Sequence, residues 1–279
     1  MAVSFDGSDD YLVLSRMADT EGQTGLTIGG WFYLAADRDH WCVCKGSSSA
    51  GGNNELLWCD DVCGAGAQGG GNTDTWVFNT GLASMPANRV NGTTGLRQLN
   101  TWQHVVGVMS GASRLLYFNG ALNASHSSAP ATTVYVNTNL YHVGAWQAVG
   151  SDRLGGMAAD VFVYPAALSA AQIATIYALR RVPWSIVAGC ECYLPLMGPT
   201  GAAVDTAHWG TKDLSGNGNS VSSIASAPVW ADDPLPPQAW IDGWFGGAWA
   251  GAVGGAGRYP AAHRTHVWRN GPITYVGGT

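Results

Sequence analysis

Hydrolysis of a glycosidic bond needs two carboxyl groups held a set distance apart, and this chain of 279 residues has few that could serve. Its three glutamates, Glu21, Glu55 and Glu191, each stand alone, with no second glutamate on the same strand face. Asp9 with Asp10, and Asp60 with Asp61, are adjacent, so on a strand the members of each pair face opposite ways. As turn residues they need no further role. No Gly-x-Ser-x-Gly elbow, His-Glu-x-x-His pair or phosphate-binding loop is present. His104 and His142 fall within predicted strands beside large apolar residues, where a hydrogen-bonded core histidine is the common outcome. His263 and His266 lie three apart on an irregular stretch, which is weak evidence for a metal. The six cysteines form close pairs. Residues two apart on a strand share a face, so Cys42 with Cys44, and Cys190 with Cys192, are expected as same-face neighbours. Cys59 with Cys63 alone has the spacing of a zinc knuckle, and buried thiols or a disulfide in the 42–63 region are expected ahead of a four-sulfur metal site. Sugars stack on exposed aromatic faces, and Trp41, Trp58, Trp76 and Trp146 are the candidates, although roughly two thirds of the tryptophans of a sandwich should be buried.

The stretch that positions the rest runs from Leu154 to Tyr177. β-Branched and aromatic residues crowd between Ala158 and Tyr164, as strands favour, and Pro165 removes a backbone donor where the ladder should stop. Ser169 and Gln172 then have the spacing of a capping box, which predicts a short helix over 170–178. Upstream, Val3 to Leu14 reads as strand, turn and strand, and Leu26 to Leu34 as a strand placing Trp31 and Tyr33 on a shared face around a glycine irregularity. Trp102 to Met109 and Arg114 to Phe118 flank a hairpin turn, and Asn119-Gly120 is a favoured turn for the next. The pattern predicts an antiparallel meander.

Charged residues make up 11% of the chain, and the net charge is −6. With Lys45 and Lys212 as the only lysines, the chain lacks the clustered cations that a nucleic acid partner requires. The glycine-rich stretch from Ala239 to Ala256 contains Asp242 and reads as a loop, so no membrane partner is expected. The first residues carry neither a basic region nor an apolar run, and no signal peptide is expected.

Several stretches resemble the concanavalin A-like, laminin-G-like jelly-roll family: Phe5-Asp-Gly-Ser-Asp-Asp-Tyr11, Thr27-Ile-Gly-Gly-Trp-Phe32, Trp102-Gln-His-Val-Val-Gly-Val108, the Leu116 to Gly120 hairpin, Tyr141-His-Val-Gly-Ala-Trp146 and Asp160 to Ile173. The resemblance implies an all-β, antiparallel jelly-roll β-sandwich over residues 1–232. Cys190 to Leu196 and Asp213 to Asn219 resemble the strand and loop that precede the Phe-Asp-Gly motif in many relatives. Here they follow the helix, so residues 190–232 are expected to return as a permuted segment. The glycosidases of this fold carry two glutamates around an aspartate on one strand, a pattern missing here. Related domains often hold calcium through loop oxygens, which makes Asp6, Asp9 and Asp10 the candidate ligands; no other cofactor is expected.

Asp232 to Pro237 is a stiff linker, and residues 233–279 are expected to form an extended, aromatic and glycine-rich docking arm. The compact Gly/Ala/Trp-rich style resembles virion proteins of tailed bacteriophages. The first functional reading is therefore a non-enzymatic virion structural protein, a capsid decoration or stabilising protein assembled in the host cytoplasm. Trp240, Trp244, Phe245, Trp249, Tyr259 and Trp268 of the arm would contact neighbouring subunits of the same protein and a major capsid protein. The alternative is a lectin-like, carbohydrate-binding module of a phage tail or cell surface that takes a surface glycan. A polysaccharide-active enzyme ranks third.

Overall fold

The computed structural model describes residues 1–46, 54–62, 73–81, 85–146 and 153–232. Backbone contacts divide the chain into Met1–Leu235 and Pro236–Thr279, and the first unit holds every element of the sandwich. Its strands, in chain order, are β1 (Ala2–Asp6), β2 (Tyr11–Val13), β3 (Gly25–Leu34), β4 (His40–Lys45), β5 (Asn54–Val62), β6 (Thr73–Gly81), β7 (Arg89–Asn91), β8 (Trp102–Ser110), β9 (Ser113–Phe118), β10 (Ala121–His126), β11 (Tyr141–Val143), β12 (Gly155–Tyr164), β13 (Cys192–Leu194), β14 (Ser223–Ala225) and β15 (Val229–Ala231). The α-helices are α1 (Ala170–Leu179) and α2 (Trp184–Val187).

The strands form two antiparallel sheets. Sheet A has the order β10-β9-β8-β3-β12-β1-β15, with β13 also paired to β12; sheet B runs β14-β2-β11-β4-β5-β6-β7. Alternation decides what each strand buries. On β3, Leu26, Ile28, Phe32 and Leu34 enter the core between the sheets, where they join Phe5, Leu12, Trp76, Phe78, Tyr141 and Trp230. The opposite face of β3 carries Trp31 and Tyr33; the expected glycine irregularity is absent, because β3 pairs with β8 without a break from Gly25 to Tyr33 and the bulge lies in the neighbouring β12. Asn119 and Gly120 take φ values of 48° and 80°, the paired positive values of a tight hairpin turn between β9 and β10.

The Ser169 side chain accepts from the Gln172 backbone N–H, and Gln172 reciprocates at the Ser169 N–H, so the capping box forms. A ten-residue helix is marginal alone; α1 gains a partner surface on the outer face of sheet A. Ile173 and Ile176 are buried, and Tyr177 stacks on Trp31 with ring centroids 5.6 Å apart and 20° between planes.

The returning segment completes both sheets. β15 pairs with β1 in the register Ala2↔Ala231 and Val3↔Trp230, and β14 pairs with β2. β13 pairs with Val161, Phe162 and Val163 of β12, on the edge that β1 occupies further along at Gly155 to Ala158. Between these stretches β12 bulges: its register against β3 shifts between Ala159 and Phe162, and Asp160 takes φ 48°.

The structure corrects two further expectations. A register irregularity between Trp41 and Val43 breaks the alternation of β4, so Cys42 faces the main core while Cys44 packs with Trp41 and Val77 in a separate cluster. They are not same-face neighbours, because a bulge inserts a residue and turns each later side chain to the other face. Cys42, Cys44, Cys190 and Cys192 are free buried thiols, and burial pushes each of them up. His104 is buried but not hydrogen-bonded: neither ring nitrogen has a partner. It lies against the rings of Trp31 at 5.1 Å and Tyr177 at 5.9 Å.

Candidate functional site

At one end of the outer face of sheet A lies a cavity of about 340 Å³. Strand register builds its floor: Ser4 pairs with Met157, Met157 with Tyr33 and Tyr33 with Trp102, which sets four side chains in a row across β1, β12, β3 and β8. Ser4, Met157 and Tyr33 line the cavity; Asp6 and Arg38 bring opposite charges to it. The half-exposed Tyr33 ring packs against Trp102 at a centroid distance of 5.9 Å, and its hydroxyl donates to Asn100 Oδ1.

Loop residues 35–38 form the rim, and three devices fix them. The buried His40 ring bridges Ala36 and Gly155: Nδ1 accepts from the Gly155 N–H at 3.2 Å, which assigns the proton to Nε2, 2.8 Å from the Ala36 carbonyl. Burial lowers the His40 pKa, and the charges of Arg38 and Arg97 lower it further. Arg97 Nη1 donates to the Arg38 carbonyl at 3.0 Å, while its other nitrogen pairs with Asp37 and with Asp74. Arg38 Nη2 donates to the Gly7 carbonyl at 2.7 Å. A Cβ on Gly7 would fall 1.5 Å from Arg38 Nη2, so only glycine lets this guanidinium in. Arg38 Nε is buried without a hydrogen-bond partner.

The structure brings Asp6, Asp9 and Asp10 together at the same end, with carboxylate oxygens within 4.8 Å of one another. Asp6 Oδ1 accepts from the N–H groups of Ser8 and Asp9. Asp10, nearly buried, accepts from Asp6 and Ala227, which ties β1 to the returning segment. Burial raises the Asp10 pKa; the hydrogen bonds from Asp6 and Ala227 oppose this, and the charges of Asp6 and Asp9 add to it. Ionised carboxylates have spare lone pairs beyond these bonds. As hard oxygen donors under mutual repulsion, the three fit part of the ligand set of a divalent cation.

The tryptophans proposed for sugar stacking separate into distinct environments. Trp76 is a core residue with no exposed surface, its indole N–H donating to Gln103 Oε1 at 3.0 Å, so it offers no face to a ligand. Trp41 and Trp146 meet on the outside of sheet B with centroids 5.1 Å apart, and Trp41 is only 8% exposed. The backbone of Trp58 pairs with Trp41 on one side and Val77 on the other; its side chain lies outside the described residues, as do all of Trp240, Trp244, Phe245, Trp249, Tyr259 and Trp268. Of the glutamates with described side chains, Glu21 is tied to Arg16 and Lys45 and Glu191 accepts from Asn219. Sequence reasoning named Asp6 only as a candidate calcium ligand and did not single out Tyr33, Arg38 or His40, because the cavity exists only once β1, β3 and β12 are adjacent.

No curated protein matches the chain. Among solved structures, a candidate carbohydrate-binding protein from Bacteroides ovatus superposes with a TM-score of 0.55 at 16% identity over 83% of this chain, which spans 61% of that protein. The sialyllactose-bound CBM40 of Ruminococcus gnavus IT-sialidase gives 0.46 at 10% identity, covering 63% of this chain and 96% of that one. The enzymatically active domain of tailspike protein 2 from bacteriophage CBA120 gives 0.48 at 14% identity, covering 70% and 29%. Residues 6–174 match the family model described as the concanavalin A-like lectin/glucanases superfamily, and the chain belongs to that family.

Proposed function

We propose that this domain binds carbohydrate, through the cavity beside Tyr33, and does so without cleaving it. The observation that carries the reading is the composition of that cavity: an aromatic ring, a serine hydroxyl, a carboxylate and a guanidinium converge on one small space. A pyranose has an apolar C–H face that stacks on an aromatic ring and a rim of hydroxyls that both donate and accept, and these groups match both parts. The Bacteroides ovatus protein of the same fold, itself a candidate carbohydrate-binding protein, agrees with this reading. Glu21, tied up in ion pairs with Arg16 and Lys45, is not free to act on a glycosidic bond, which favours binding over hydrolysis.

A divalent cation such as calcium is part of the proposal. Asp6, Asp9 and Asp10 would hold it, and Asp6 also lines the cavity. The bound ion would supply positive charge at the sugar-binding end and relieve the repulsion among these carboxylates. Assembly into a virion through the C-terminal segment gains no support from the described residues, and carbohydrate binding is the better-supported reading.

The test is a glycan array probed with the full chain, followed by titration of any hit against Tyr33→Ala and Arg38→Ala. Each variant should weaken binding by roughly tenfold or more while leaving thermal unfolding nearly unchanged. Saturable binding that survives both substitutions would move the site away from this cavity.

A further inference from the structure

Beyond Tyr33 the row that floors the cavity runs on to Trp102. Ser4, Met157, Tyr33 and Trp102 are cross-strand neighbours through the pairing of β1 with β12, β12 with β3 and β3 with β8, and such neighbours point to one face of a sheet. Each of the four is partly exposed. The next row on the same face is closed: Ala159, Trp31 and His104 are paired in turn, none is more than 3% exposed, and Tyr177 of α1 packs on the Trp31 and His104 rings. On the other side stand residues 35–38 and Asn100, whose backbone N–H donates to the Leu34 carbonyl at 2.8 Å. The open row is therefore the floor of a trough that crosses the strands, with the cavity at one end and Trp102 at the other.

Trp102 is held there by packing. Its ring meets Tyr33 with centroids 5.9 Å apart, and with Met157 it packs against the buried cluster of Ala2, Trp31 and Ala159. Its indole N–H is buried without a hydrogen-bond partner, so the ring surface it presents is carbon. An aromatic surface fixed in this way suits the C–H face of a sugar and loses little freedom on binding. Neighbouring strands lie ~4.8 Å apart, close to the advance of one sugar unit along a linear chain, so a sugar bound over Tyr33 places the next unit over Trp102. The planes of the two rings are 59° apart. A flat ribbon, whose successive sugars lie in one plane, can stack on only one of two rings so inclined. A chain that turns between successive sugars can face both.

We infer that Trp102 is a second stacking residue of the Tyr33 site, which takes a twisted linear glycan lying across β3 and β8 rather than a single terminal sugar or a flat ribbon. This rests on the carbohydrate-binding reading of the Tyr33 cavity. Two weak contacts made by one chain multiply their effect, because the second becomes intramolecular.

The experiment titrates the 15N-labelled full chain with hexasaccharides of xylan, arabinan and laminarin, whose chains twist, with those of cellulose and mannan, whose chains are flat, and with the matching monosaccharides. The Trp102 indole signal, identified by its loss in Trp102→Phe, should shift with a twisted hexasaccharide and stay still with its monosaccharide. This shift reads the wild-type protein, so it stands whether or not other variants fold. Trp102→Leu keeps an apolar side chain for packing and removes the ring. It should lower affinity for the twisted hexasaccharide by roughly tenfold more than affinity for the monosaccharide, and Trp102→Phe should restore most of the difference. An equal loss for both ligands would make Trp102 a support for Tyr33 and no more. That result, or a hexasaccharide that shifts the Tyr33 amide and leaves the Trp102 indole still, overturns the inference while the cavity reading stands. Tighter binding of a cellulose or mannan chain than of every twisted one overturns the assignment to a twisted glycan. If no ligand in the panel perturbs either residue, both readings fall.

Discussion

The hydroxyl of Tyr193 donates to Oδ1 of Asp160 at 2.5 Å, and both residues are buried. Tyr193 belongs to returning strand β13 and Asp160 to the bulge of β12, so this bond locks the C-terminal part of the domain onto its central sheet. Burial, together with the Asp160 charge, pushes the Tyr193 hydroxyl well up; it stays protonated and keeps donating. Tyr193→Phe removes the donor and keeps the ring. It should cost about 1.5–3 kcal/mol, the range for a hydrogen bond to a charged group, read as a lower urea midpoint with an unchanged slope. An unchanged midpoint would show that the bond does not anchor β13.

Acid should destabilise the domain through His104. Burial drives its imidazole down to about 3, against 6.5 for the free side chain. Between these values the unfolded chain holds a proton that the native state refuses. This contribution is therefore fully present above pH 6.5 and is lost as the pH falls toward 3, with a slope of about 1.4 kcal/mol per pH unit within that window. His104→Phe should flatten the acid side of a melting-temperature profile, since neither nitrogen has a partner to lose. A profile as steep as wild type would assign the acid sensitivity to other groups.

His40 should make sugar binding depend on pH. Its Nδ1 must be free of a proton to accept from the Gly155 N–H, and its pKa is lowered in the native state by burial and by Arg38 and Arg97. Its support for the rim is then complete above pH 6.5 and fails on acidification below that value, as protonation sets two N–H groups against each other. Glycan affinity measured across that range should fall on the acid side, and a flat profile would remove His40 from the frame of the cavity.

Calcium should raise the melting temperature of the full chain, and Asp9→Asn should abolish the increase. Asp9 is exposed, so the substitution removes a ligand charge without opening the core. Stabilisation of this kind grows with the logarithm of free ion concentration above the dissociation constant. The same calcium-dependent rise in wild type and variant would exclude these carboxylates as the ligands.

Strand assignment was legible where alternation was strict. Leu26 to Leu34 read as one strand with Trp31 and Tyr33 on a shared face, though the glycine irregularity expected within it is absent, and Ser169 with Gln172 marked the start of α1. Two further inferences failed for local reasons. A bulge in β4 carried Cys42 and Cys44 to opposite faces, and an irregularity of one residue leaves no mark in composition. Trp76 and Trp41 sit in similar sequence surroundings and both are buried, but sheet stacking decides that Trp76 enters the core between the sheets while Trp41 packs in a separate cluster. The Tyr33 cavity was harder still, since its lining comes from Ser4 and Asp6, from Tyr33 to Arg38, and from Gly155 to Met157. No single stretch signals it. His40 is invisible as a site residue without the contact between residues 36 and 155 that it bridges.

The pairing of β1 with β15 has a kinetic consequence. Ala2 and Ala231 are neighbours in space but sit near opposite ends of the domain in sequence. During synthesis β1 emerges first, and one of its two edges stays unpaired until β15 has been made. That delay leaves backbone donors and acceptors open to pairing with another chain. Contacts of such long range also slow folding. A chain ending just short of Val229 would therefore hold a nearly complete sandwich with an open seam at β1, an edge through which two such copies can join.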